Sequence, residues 1–161
     1  MRYELTYMPF GERSILIEWP AIIDEAILLD ILVFKAKIID SNIKYIVNIN
    51  NAYNSLLISY GDKKSDFSKE VSILKNIYVS NFKIKKAVRR LWKIPVCYEP
   101  VFGIDLKEVA LEKNLTESQI IERHIHGHYH VYFIGFLPGF LYLGGLDETL
   151  QMPRKETPRL R

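Results

Sequence analysis

Two arginines, each behind a proline, and an aromatic loop just upstream of them are the groups in this chain best suited to bind and polarise a small ligand. Arg154 follows Pro153, and Arg159 follows Pro158. Proline restrains the backbone ahead of each arginine, and the planar guanidinium offers paired donors to a carboxylate or phosphate. The loop reads Phe136-Leu137-Pro138-Gly139-Phe140-Leu141-Tyr142-Leu143-Gly144-Gly145-Leu146. In Leu137-Pro138-Gly139-Phe140, proline presets φ at the first central position of a turn. Glycine supplies the positive φ that a type II turn needs at the second. Such a turn exposes the aromatics Phe136, Phe140 and Tyr142. That suits a hairpin capping a barrel and, equally, the wall of a small-molecule pocket.

His124, His126, His128 and His130 recur at every second position. On one strand they would point to one face and could hold zinc or nickel. Gly127 and a predicted helix end divide them, with His124 on the helix and His130 on the following strand. They also lack cysteine or carboxylate partners, so no metal site is expected. Cys97 is the single cysteine and lies in the apolar run Ile94-Pro95-Val96-Cys97-Tyr98. The run predicts a strand and the thiol a buried, inert position. The sequence contains no P-loop, no GxGxxG, no paired carboxylates at motif spacing and no identifiable Ser-His-Asp system. The chain does not present a self-sufficient active site.

The elements that must position these groups follow from periodicity. Leu5, Tyr7 and Met8, then Ile15, Ile17 and Trp19, predict two strands around a Pro9-Phe10-Gly11 turn. Asp24 is a predicted N-cap, and Ile27, Ile31, Phe34 and Ile38 form one apolar helical face behind it. Residues 43–49 and Leu56, Ile58 and Tyr60 alternate as strands, with Asn50-Asn51 as turn chemistry between them. Phe67, Val71, Leu74 and Tyr78 predict a second helix. The order ββαββα over residues 1–82 predicts an α+β domain with both helices on one face of a sheet. Lys83, Lys85, Lys86, Arg89, Arg90 and Lys93 follow with no acid between them, and residues 83–93 read as a solvated basic linker. A second domain is expected over 94–161. Its helices open at the capping patterns Asp105…Glu108 and Thr116…Gln119, and a strand spans Tyr129–Ile134. Asn114 and Gly127 are the predicted helix ends.

At 161 residues, 48% hydrophobic and 25% charged, the chain has the composition of one or two globular domains. A net charge of +3 is too small to argue for nucleic acid. No apolar run approaches membrane-spanning length and no signal peptide is visible, so a cytoplasmic protein without a membrane partner is expected.

The run Ile94-Pro95-Val96-Cys97-Tyr98, then Gly103, Asp105 to Ala110, Tyr129-x-Val131, Gly135 to Leu146, Pro153-Arg154 and Pro158-Arg159, occurs in that order. This resembles the family of the B-type subunit of bacterial 5-oxoprolinase, also called allophanate hydrolase subunit 1. The family includes a sporulation kinase inhibitor and is related to the carboxyltransferase region of urea carboxylase. The resemblance is weak before residue 90 and strong after it. It implies a cyclophilin-like β-barrel after the N-terminal domain, and a heteromeric enzyme with A-type and C-type subunits. That enzyme opens the lactam of 5-oxoproline to glutamate at the expense of ATP, with Mg at the level of the complex and no metal or biotin on this chain. Carried onto this sequence, it makes Arg154 and Arg159 the catalytic candidates. Phe136, Pro138, Gly139, Phe140 and Tyr142 would shape the pocket or the face toward the C-type subunit, and His124 matches a family histidine. The other roles found in the family, inhibition of a sensor histidine kinase and a urea- or allophanate-type carboxyltransferase, are alternatives. Family members continue past the second Pro-Arg into further strands, so the resemblance implies an incomplete barrel, and a chain inactive alone.

Overall fold

Asp24 opens the first helix as its side chain accepts from the Ala26 and Ile27 amides, which removes two of the unpaired donors every helix start carries. In this computed structural model, which describes residues 3–61, 66–81 and 90–157, the elements run β1 (Thr6–Pro9), β2 (Ser14–Glu18), α1 (Glu25–Asp40), β3 (Ile46–Asn51), β4 (Ser55–Tyr60) and α2 (Phe67–Val79). They continue with α3 (Leu106–Lys113), α4 (Glu117–His126), β5 (His130–Ile134), β6 (Leu141–Gly144) and a 3-10 turn at Glu148–Leu150. The protein is thus mixed α and β. The chain divides into two compact units, Met1–Val88 with Tyr132–Tyr142, and Arg89–Val131 with Leu143–Arg161.

The first unit is built on an antiparallel sheet of order β1-β2-β4-β3. Alternation drives one face of β2 and β4 inward, placing Ile15, Ile17, Leu56, Ile58 and Tyr60 against Ile27, Ile31, Phe34 and Ile38 of α1 and Leu74 of α2. Each fully buried aliphatic or aromatic side chain contributes roughly 1.5–3 kcal/mol. The stripe predicted on α1 is therefore its core face. Asn50-Asn51 proves to be strand, pairing with Leu57 and Leu56. The reversal comes at 52–54, where the Ala52 amide donates to the Ser55 carbonyl at 2.9 Å. A register shift between Ile46 and Asn48 marks an irregularity near the start of β3.

In the second unit, α3 and α4 bury Ala110, Ile120 and Leu150 together with Leu106, Val109 and Leu115. Thr116 and Gln119 form the predicted reciprocal capping box. Asn114 ends α3 in the left-handed region at φ 52°, where asparagine is one of the few tolerated residues. Asp105 departs from expectation. It precedes α3 without a side-chain capping bond and instead meets Lys155 Nζ at 3.2 Å, because its own backbone is already helical and turns the carboxylate away from the helix amides.

Residues 94–98 are not a strand in the structure. No strand pairs with them among the described residues, Pro95 lacks an amide to donate, and Ile94 and Val96 lie exposed. Cys97 is correspondingly exposed rather than buried. The sequence places Tyr132–Tyr142 in a domain over 94–161, but in the structure this segment belongs to the first unit. The reason is local: Asn51 Nδ2 donates to the Tyr132 carbonyl at 3.0 Å, and Tyr53 packs on three of its rings. Among the described residues, no helix is long and apolar enough to cross a membrane.

Candidate functional site

The aromatic loop is a hairpin tip between β5 and β6. The Phe140 amide donates to the Leu137 carbonyl at 3.0 Å and Gly139 has φ +79°, which together make the predicted type II turn. A second, tighter reversal precedes it. The Leu137 amide donates to the Gly135 carbonyl at 2.7 Å across Phe136, whose φ is +63°. A γ-turn with positive φ at an aromatic residue is strained, at about 1–3 kcal/mol. The strain holds the Phe136 ring out, 80% exposed.

Behind the tip the rings form a continuous set within the first unit. Phe136 and Phe140 meet edge-to-face at 5.6 Å, Phe140 and Tyr142 at 5.2 Å, and Tyr142 stacks on Phe133 at 4.1 Å and 11°. Tyr53 lies against Tyr132, Phe133 and Tyr142 at 5.1, 5.1 and 6.1 Å. Pairs of this kind add about 0.5–1.5 kcal/mol each beyond area burial. Phe136, Phe140 and Tyr142 are thus in ring contact around the Pro138-Gly139 turn, with Tyr53 and Phe133 as supports that the sequence did not flag. Tyr53 sits in a turn remote in sequence, and nothing in its local pattern marks it.

His124 and Arg154 belong to the second unit. Arg159 falls outside the described residues, as do residues 83–89 of the basic run 83–93. Arg154 is exposed on a segment tied down on both sides. Upstream, Arg123 Nη1 donates to Thr149 Oγ1 at 2.6 Å, Thr149 N and Oγ1 donate to Asp147 at 2.8 and 2.6 Å, and Lys113 Nζ reaches the Gln151 carbonyl at 2.5 Å. The Thr149 hydrogen bonds, aided by the nearby Arg123, hold the Asp147 carboxyl below its usual range. Downstream, Lys155 pairs with both Asp105 and Glu108. Arg154 is exposed between these anchored stretches, where a guanidinium can meet an anionic group.

His124 lies on α4, half-buried. Tyr98 Oη hydrogen-bonds its Nδ1, and Tyr129 Oη donates to its carbonyl at 2.9 Å. The other histidines take different places: His126 ends α4 with Nδ1 at 2.7 Å from the Glu122 carbonyl, His128 follows Gly127, and His130 begins β5. The series is split by the helix end, as the sequence indicated. An open groove of about 710 Å³ in this unit is lined by Cys97, Tyr98, Gly103, Lys107, Glu117 and Ser118, among others.

Comparison with known proteins places these features in a family. Residues 5–161 match the carboxyltransferase domain, subdomains C and D. The B-type subunit of 5-oxoprolinase from Bacillus subtilis is 48% identical over 71 residues, 44% of this chain and 30% of that protein. Its namesake in Haemophilus influenzae is 39% identical over 114 residues, 71% of this chain and 53% of that protein. The chain therefore spans about a third to a half of the curated relatives it matches. Among solved structures, TTHA0988 aligns with a TM-score of 0.73 at 25% identity, over 91% of this chain and 28% of that one. The urea carboxylase of Kluyveromyces lactis shares the fold, with a TM-score of 0.63 at 16% identity over 86% of this chain and 14% of that one. With nearly its whole length matched, this chain belongs to the carboxyltransferase domain family, subdomains C and D.

Proposed function

We propose that this chain is a non-autonomous subunit of an ATP-dependent 5-oxoprolinase, acting with A-type and C-type subunits in the cytoplasm. The observation that carries the reading is the 48% identity to the B-type 5-oxoprolinase subunit, taken together with the strained aromatic tip and the pinned Arg154 segment. A lactam amide resists water. Transfer of the ATP γ-phosphoryl group to its carbonyl oxygen makes that oxygen part of a good leaving group. Water adding to that carbon breaks the C–N bond and leaves an acyl phosphate, and a second water releases the phosphate, so that 5-oxoproline, ATP and two waters give glutamate, ADP and phosphate. Arg154, with Arg159, would stabilise charge on the phosphate or the substrate carboxylate. Phe136 and its neighbouring rings would wall the pocket or face the C-type subunit.

The described residues include no group of His, Cys, Asp and Glu placed to hold a metal, and the sequence has no phosphate-cradling glycine loop. In this reading Mg-ATP is bound at the level of the assembly. A cyclophilin-like barrel is part of the same proposal. Val131, Ile134 and Leu143 on β5 and β6 are 47%, 63% and 42% exposed, and further strands closing on this hairpin would cover them.

The test is 5-oxoproline-dependent ADP release by this chain mixed with A-type and C-type subunits, with each omitted in turn. Turnover that requires this chain supports the reading. Turnover unchanged by its omission, or inhibition of histidine-kinase autophosphorylation in its place, contradicts it.

A further inference from the structure

Three pieces of the second unit converge on one imidazole. His124 lies on the last turn of α4. Tyr98, from the irregular segment before α3, places its hydroxyl on Nδ1, with the two rings 5.8 Å apart at 82°. Tyr129 closes the other side, its ring 5.4 Å from the imidazole and its hydroxyl on the His124 carbonyl at 2.9 Å. Tyr129 reaches that carbonyl only because residue 127 is glycine: a Cβ there would come within 2.9 Å of the Tyr129 ring. The backbone at His124 and the ring itself are therefore each held by a phenol. Nε2, by contrast, has no hydrogen-bond partner among the described residues.

We propose that Tyr98 is a positioning residue that locks His124 as its Nε2–H tautomer, so that the ring offers one directed N–H donor to a carbonyl or carboxylate oxygen of the bound ligand. The choice of that ligand rests on the 5-oxoprolinase reading; the tautomer does not. Desolvation raises the Tyr98 phenol above its ordinary value, so it is protonated at neutral pH, and with no other acceptor beside its hydroxyl among the described residues that proton is directed at Nδ1. A neutral imidazole that accepts at Nδ1 carries its own proton on Nε2. The logic is that of the outer hydrogen bond that fixes the tautomer of a metal-ligating histidine, with a phenol in place of the carboxylate and a ligand oxygen in place of the metal.

Two readouts test this. The first is the nitrogen-15 spectrum of the His124 ring in the full-length chain at mildly alkaline pH, assigned by loss of the signal in His124→Gln. The wild type is expected in the Nε2–H form. Tyr98→Phe, with unchanged circular dichroism, is expected as a mixture of both forms. An Nδ1–H form in the wild type, or an unchanged tautomer in Tyr98→Phe, overturns the proposal. The second is kinetic, in the reconstituted assembly. Tyr98→Phe and His124→Ala should each raise KM for 5-oxoproline about tenfold, with His124→Gln, which keeps an N–H donor, recovering part of the loss. A KM unmoved by either loss overturns the ligand contact. A wild-type assembly with no 5-oxoproline turnover overturns that ligand, while the spectrum still decides the tautomer.

Discussion

Asp30 is 4% exposed, yet it is a carboxylate in the centre of a helix face made of isoleucine and phenylalanine. Trp19 Nε1 donates to it at 2.9 Å and the Tyr78 hydroxyl at 2.6 Å, tying the segment just after β2 to α1 and α2 at one point. Asp30→Ala strands both donors in an apolar setting and should lower stability by about 2–4 kcal/mol, read from the urea unfolding midpoint. Asp30→Asn, which retains an acceptor, should cost less. The position was legible in part. Residue 30 falls on the Ile27–Ile31–Phe34 stripe, so its burial follows from helical spacing, but its partners sit 11 residues behind and 48 ahead and no local pattern announces them. The same limit hid Tyr53 and the role of Tyr98. Their side chains act through contacts made in space, while Pro138-Gly139 could be read because its conformation is dictated by its own covalent chemistry.

The β5–β6 hairpin and its flanks turn on two glycines with different surroundings. Gly139 has φ +79° and open space around a Cβ. Gly145 has φ +99°, and a Cβ there would come within 2.6 Å of the His128 carbonyl oxygen. Gly139→Ala should therefore cost only the backbone strain, about 1–2 kcal/mol. Gly145→Ala adds a clash with backbone that cannot rotate aside, and should cost clearly more. Thermal unfolding of the two variants gives the comparison; equal losses would contradict the placement of Gly145 against His128. Element boundaries followed the same division. The helices were read from caps and 3.6-residue spacing, both local. The strand expected at 94–98 rested on apolar character alone, and a strand exists only where a partner supplies its hydrogen bonds.

At the scale of the whole molecule, three phenols, Tyr60 buried and Tyr7 and Tyr78 half-buried, are expected to set the alkaline limit of stability. Burial pushes Tyr7 up to about 12. Tyr60 is raised by burial and then by the charge of Glu70, and Tyr78 by burial and then by its bond to Asp30. A phenol raised in the folded state binds its proton more tightly there than in the unfolded chain. Its contribution is complete below pH about 10 and is lost as pH climbs through the folded value. Urea midpoints should hold from pH 8 to 9.5 with respect to these groups and fall steeply above 10, and Tyr7→Phe should soften the fall. At this scale the N-terminal ββαββα order was readable, and so was the ordered motif set that points to the family. The return of residues 132–142 to the first unit was not, because it depends on Tyr53 and Asn51. The proposed function stands on one requirement, that a lactam-opening assembly needs this chain. Glutamate formed from 5-oxoproline by the A-type and C-type subunits, with and without this chain, measures that requirement. ATP-dependent glutamate is expected only when the chain is present, and much less with Arg154→Ala. Equal glutamate in its absence would refute the requirement.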